Sequence, residues 1–142
     1  MIAFFLLIVI NLFILRETRE PQRLKEVKEK YRILREHLYE TNNEKYSMIV
    51  RAIPITGILR MNGAVGYNTN KGGEIAICLD GESNEIFHVL IHELAHCTVK
   101  EYEHSPQFWE NYIELRDMSV DLGIYEKIPI RTEFCGEHIQ DK

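Results

Sequence analysis

Cysteine is scarce in this chain: Cys78, Cys97 and Cys135 are an odd set with no CxxC spacing among 142 residues. That excludes a disulfide framework or a four-cysteine zinc finger as the organising feature, and it fits a reducing compartment. With only four prolines, and with no repeat or low-complexity tract, the chain lacks a proline-rich linker. An excess of basic charge is also missing. Seventeen Lys/Arg against 22 Asp/Glu leave a net charge of −5, the wrong sign for a protein that holds nucleic acid mainly by neutralising phosphates. What remains, 45% hydrophobic and 27% charged residues, is the composition of one globular domain.

Charge is absent altogether before Arg16, and residues 1–15 are apolar except for Asn11. A 15-residue helix would reach about 22 Å against a hydrocarbon core of about 30 Å. It is short for a span, but Arg16 and Arg19 can snorkel to the headgroups. The expectation is an N-terminal membrane anchor, with a signal peptide and a buried helix as the other readings. Residues 16–32 carry seven Lys/Arg and four Glu, a net of +3, whereas residues 33–142 carry a net of −8. Basic residues after the apolar segment favour a single-pass protein whose C-terminal domain lies on the cytoplasmic side.

Beyond the anchor, residues 16–40 form a charged amphipathic helix or linker in which Leu24, Val27, Tyr31, Leu34 and Leu38 mark one apolar face. Residues 41–142 are the folded domain. Pro54 makes any strand in 47–58 short or marginal to a sheet. Asn62-Gly63 signals a turn, and NTNKGG (68–73) reads as a loop. EIAICL (74–79) reads as a strand that offers an edge to an extended substrate. A helix is expected over about 84–99. A second begins at Ser105-Pro106, with serine as cap and proline in the first turn, and stops at Gly123. The last twenty residues look irregular.

The chemistry concentrates in His92-Glu93-Leu94-Ala95-His96, an HExxH on the first of these helices. Two histidines four apart lie one turn above each other and can converge on one zinc ion. Glu93 projects beside them and can take a proton from the metal-bound water as general base. A catalytic site needs a third protein ligand and an open position. His104 is the leading candidate, and Glu101, Glu103, Glu110 and Glu114 are carboxylate rivals. His88, one turn before His92, drifts off the metal face and reads as a partly buried neighbour. Cys97 points into the core, Cys135 and His138 read as structural, and Phe108 and Trp109 read as packing residues with one able to wall a cleft. Tyr102, Tyr112 and Tyr125 are all candidates to stabilise an oxyanion, and nothing in the sequence selects one.

GYNTNKGGEIAICL (66–79), followed by HVLIHELAHCTVKEYEHSPQFW (88–109), resembles the WLM metalloprotease domain, a group related to the SprT-like and Spartan proteases. The resemblance covers about residues 30–125. It implies an α+β fold, a small zincin-like domain with an active-site helix, packed helices and a short mixed sheet. It implies His92, His96 and His104 as zinc ligands and Glu93 as the catalytic base. The interval from His96 to His104 is longer than in the usual WLM pattern. The implied activity is zinc-dependent proteolysis, including repair of DNA–protein crosslinks. Short stand-alone versions of the domain resemble proteins of large DNA viruses, which implies a viral protein in a host or virion membrane.

The expectation is therefore a membrane-anchored zinc endopeptidase acting on protein or peptide substrates. DNA would be engaged only weakly or indirectly by so acidic a body. The alternative is a non-catalytic, zinc-stabilised, membrane-anchored interaction module.

Overall fold

A computed structural model describes residues 1–17, 19–59 and 64–142. The turn expected at Asn62-Gly63 lies outside the described residues. Helix α1 (Ile2–Glu17) is apolar along its length and buries none of its residues. At 16 residues it rises about 24 Å, less than a bilayer core of about 30 Å. No helix among the described residues is long and apolar enough to cross a membrane. This corrects the expected single-pass transmembrane helix, and the orientation read from the flanking charges rests on that span.

Helix α2 (Gln22–Glu40) follows Pro21. Pro21 cannot donate a backbone hydrogen bond, and it precedes the helix where none is needed. Its face of Leu24, Val27, Tyr31, Leu34 and Leu38 is buried, so the packing runs across residue 40 without a break. The Tyr31 hydroxyl donates to the Ile49 carbonyl at 2.7 Å. That bond fixes α2 to the short helix α3 (Ser47–Val50).

Strands β1 (Ile55–Ile58), β2 (Gly66–Thr69) and β3 (Glu74–Cys78) form a mixed sheet in the order β1-β3-β2. β1 runs parallel to β3, and β2 runs antiparallel to it. β3 is therefore the centre of the sheet and is buried from Ile75 to Cys78. The expectation that this segment offers an edge is overturned. A strand rich in Ile with cover on both faces takes the middle position, and among the described residues β2 pairs with β3 alone.

Helix α4 (Ser83–Cys97) lies against β2 and β3 on one side and α2 and α5 on others. Its start is a reciprocal capping box between Glu82 and Glu85. Gly66 lets β2 come close to α4: a Cβ there would stand 2.7 Å from Val89 Cγ1. Helix α5 (Pro106–Asp121) is capped by the Ser105 hydroxyl, which accepts from the Phe108 amide. It ends in a Schellman turn, with Ile124 N donating to Ser119 O and Gly123 N donating to Val120 O, both at 3.0 Å. Gly123 takes φ +71° in that turn, the left-handed conformation that costs glycine least.

The C-terminal region departs from the irregular reading. Residues Thr132–Phe134 (β4) and Glu137–Ile139 (β5) form an antiparallel hairpin. A disulfide joins Cys135 in its turn to Cys78 at the end of β3, across 57 residues. This corrects the inference drawn from the odd cysteine count, because two distant cysteines pair and Cys97 alone stays free and buried.

Candidate metal centre

The two histidines of α4 and the one from the loop before α5 come together. His104 Nε2 lies 3.0 Å from His92 Nε2 and 3.1 Å from His96 Nε2. One ligand atom from each of the three falls within 4.8 Å of the others. Tetrahedral zinc with Zn–N distances of 2.0–2.1 Å sets its nitrogens about 3.3 Å apart, so the triangle is close to the right size. Glu101, Glu103, Glu110 and Glu114 are not part of this cluster. Glu110 and Glu114 instead face Lys45 across the surface.

The electrostatics favour lone pairs over protons at the cluster. Burial pushes His92 down to about 3, helped by the neighbouring imidazoles. Burial, His104 and Lys71 push His96 down to about 4. Both rings are neutral at pH 7, which is the form that ligates a metal. Three imidazoles with nitrogens turned on one another are a poor hydrogen-bonding set but a good donor set for a borderline-soft divalent cation. Phe108 supports them from below, its ring centroid 4.4, 4.7 and 5.0 Å from those of His96, His104 and His92.

Glu93 is only 7% exposed, and desolvation raises its carboxyl to about 7. Two cavities meet at Glu93 and Gly66. One, of about 220 Å³, is lined by Asn68, Lys71, His96 and Tyr102 among others. The other, of about 420 Å³, is lined by Val65, Val89, His92, Trp109 and residues of β5. The cleft therefore reaches His96 from one cavity and His92 from the other, with Trp109 as one wall.

Two residues from the segment read as a loop prove to belong to the site. Asn68 on β2 donates to the Glu93 carbonyl at 3.1 Å and accepts from the Gly72 amide at 2.8 Å. Lys71, in the β2–β3 turn, donates to the carbonyls of His96, at 3.1 Å, and Glu101. Its ammonium also sits 4.5 Å from the Tyr102 ring centroid. Asn70 and Lys71 both hold positive φ, 52° and 51°, which turns Lys71 back toward α4. A cation at the carbonyl end of a helix also complements its dipole. The only sequence signal for this was the run of Asn, Lys and Gly.

The residues set aside on sequence grounds behave accordingly. His88 is buried, with Nδ1 2.9 Å from the Tyr125 hydroxyl and 3.3 Å from Asp141 Oδ1. Cys97 lies against Asn68 Nδ2 at 2.9 Å.

The model of the WLM domain matches residues 24–133, spanning α2 to β4. An uncharacterized protein of Acanthamoeba polyphaga mimivirus is 35% identical over 80 residues. That match covers 49% of this chain and 41% of the relative, so the chain spans well under two thirds of the relative's length. No solved structure matches. A match running from the first core residue of α2 through α4, the His104 loop and α5 covers most of the packed body, and the chain belongs to the WLM domain family.

Proposed function

We propose that the protein is a zinc-dependent endopeptidase, with His92, His96 and His104 holding the ion and Glu93 acting as general base. The observation that supports it most is the convergence of three imidazole nitrogens, 3.0 and 3.1 Å from one another through His104, beside a buried carboxylate in an open cleft. Zinc, when bound, would polarise the scissile carbonyl and acidify water. The chain's own residues do the rest. Glu93 takes the proton from the attacking water and passes it to the leaving amine. β2, which pairs with β3 alone among the described residues, gives an extended substrate a backbone to pair with. Its side chains would then enter the two cavities on either side of Glu93.

Helix α1 belongs to the same proposal. Its exposed apolar side chains embed in a membrane without crossing it, and Arg16 and Arg19 lie among the headgroups. The mimivirus relative supports a viral setting. Crosslinked protein on DNA remains a substrate class within this reading, reached through the protein rather than through DNA, because residues 33–142 carry a net of −8.

The test uses the full chain in detergent micelles with casein as substrate. The expected result is one zinc per chain, cleavage that a chelator stops, and a fall of about 10²–10⁴-fold in kcat for Glu93→Gln with zinc retained. Failure to bind zinc at micromolar metal overturns the proposal. Zinc binding without cleavage, with Glu93→Gln unchanged in every respect, would instead favour an interaction module stabilised by the metal.

A further inference from the structure

We propose that Tyr102 supplies the hydrogen bond that stabilises the oxyanion during hydrolysis, and that Lys71 holds it over the cleft; this rests on the endopeptidase reading above. Peptide hydrolysis needs a donor where negative charge develops on the former carbonyl oxygen. The tyrosines can be told apart by what their hydroxyls already do. Tyr112 and Tyr125 are buried, and both donate to the Asp141 carboxylate. Tyr67 stands between Gly66 and Asn68 on β2. Those two face α4, since a Cβ on Gly66 would meet Val89 and the Asn68 amide bonds to Glu93. Side chains alternate along a strand, so the Tyr67 side chain leaves β2 on the opposite face from Gly66 and Asn68, although the residue lines the same cavity as Glu93 and His96.

Tyr102 differs from Tyr112 and Tyr125 in its exposure and from Tyr67 in the lysine that holds its ring. It lines the same cavity as Glu93 and His96, it is 79% exposed, and its hydroxyl has no hydrogen-bond partner among the described residues. An exposed aromatic ring is ordinarily free to rotate away. Here Lys71 fixes the segment that carries it. The ammonium donates to the carbonyls of His96 and Glu101 and lies 4.5 Å from the ring centroid, within the range of a cation–π contact. Among the other donors of this cavity, the Asn68 amide bonds to the Glu93 carbonyl and the Cys97 sulfur, the Lys71 bonds are those just given, and the Tyr67 hydroxyl lacks the lysine contact that holds Tyr102. Tyr102 also lies two residues before His104, so the clamp that holds the phenol sets the approach of the third imidazole.

The step balances with water as the sole co-reactant. Water oxygen bonds to the carbonyl carbon while Glu93 takes its proton. The carbonyl π pair moves onto oxygen, which accepts the Tyr102 hydrogen bond without receiving the proton. The oxyanion's pair then re-forms the carbonyl as the carbon–nitrogen bond breaks with its pair going to nitrogen, and Glu93 returns the proton there.

The zinc-loaded full chain in micelles is assayed on casein as wild type, Tyr102→Phe, Lys71→Met and Lys71→Arg. Affinity is also measured for a phosphinic peptide, whose tetrahedral oxygens imitate the oxyanion. Tyr102→Phe should lower kcat about 10²–10³-fold, with KM and zinc affinity within about twofold of wild type. Phosphinic-peptide affinity should fall in step with kcat/KM. Lys71→Met should lower kcat in the same direction, and Lys71→Arg should restore most of it. A Tyr102→Phe enzyme within about threefold of wild-type kcat overturns the inference, as does a loss confined to KM or to zinc affinity. If the wild type binds zinc but cleaves nothing, the endopeptidase reading fails. The phosphinic peptide then decides the role of Tyr102, and equal affinity in wild type and variant overturns it.

Discussion

Helices α1 and α4 are nearly the same length, 16 and 15 residues, and both are rich in Leu, Ile, Val and Phe. They end in opposite environments. α4 buries ten residues, including Phe87, Leu90, Ile91 and Leu94, while α1 buries none. α4 interrupts its apolar side chains with His92, Glu93 and His96, and the polar ones fall along the cleft while the rest face α2, α5 and the sheet. α1 has no such asymmetry, so no direction of packing is specified for it. Hydrophobicity supplies the driving force for burial, but a one-sided pattern decides where a helix docks.

Truncating matched leucines gives the largest expected split between the two helices. Leu90→Ala, at a position with 0% exposure, should cost about 2–5 kcal/mol of stability in urea unfolding. Leu7→Ala on α1 should cost less than about 0.5 kcal/mol, because that side chain is already exposed in the folded chain. Comparable losses at both sites would mean that α1 packs on the body after all.

A smaller effect probes what holds α4 from the C-terminal side. Asp141 has a side chain only 5% exposed. Burial alone would raise its carboxyl, but hydrogen bonds from His88 on α4, from Tyr112 and Tyr125, and from the Ile128 amide outweigh it and hold the group well below the usual carboxylate range. A depressed carboxylate contributes its full stability above its unfolded pKa of about 3.9 and loses it as pH falls toward the folded value. The metal-free protein should therefore weaken as pH drops below about 4. Asp141→Asn should cost about 1–3 kcal/mol at pH 7 and flatten the acid limb, seen by urea unfolding across pH. An unchanged acid limb would remove Asp141 from this role. Smallest of all is the expected response of α1 to charge. Leu7→Lys should release the chain from phosphatidylcholine vesicles in a flotation assay while leaving its Tm in place. Retained flotation would count against membrane embedding.

Those contrasts also explain what could be read from residues alone. α2, α4 and α5 announce themselves by apolar spacing and by their caps, and HExxH with a later histidine marks the cluster. The missing parts depend on contacts distant in sequence. β4 and β5 have three residues each, too few to carry a period, and they depend on the Cys78 crosslink and the cover of neighbouring elements. β3 was visible as a strand, but its central place depends on β1 and β2 flanking it. Lys71 matters to the site only because a pair of left-handed residues swings it toward carbonyls 25 and 30 positions away.

The single crosslink has a consequence for how the chain reaches this state. Three thiols permit three alternative pairings in the denatured chain, and only one is compatible with the finished core. Cys97 sits beneath Asn68 with its sulfur donating to the Glu93 carbonyl, so once α4 has docked it can no longer attack the bond between Cys78 and Cys135. Oxidative refolding should thus sort itself: mispaired chains keep an accessible thiol and go on exchanging, whereas the correctly joined one retires its third sulfur from the reaction.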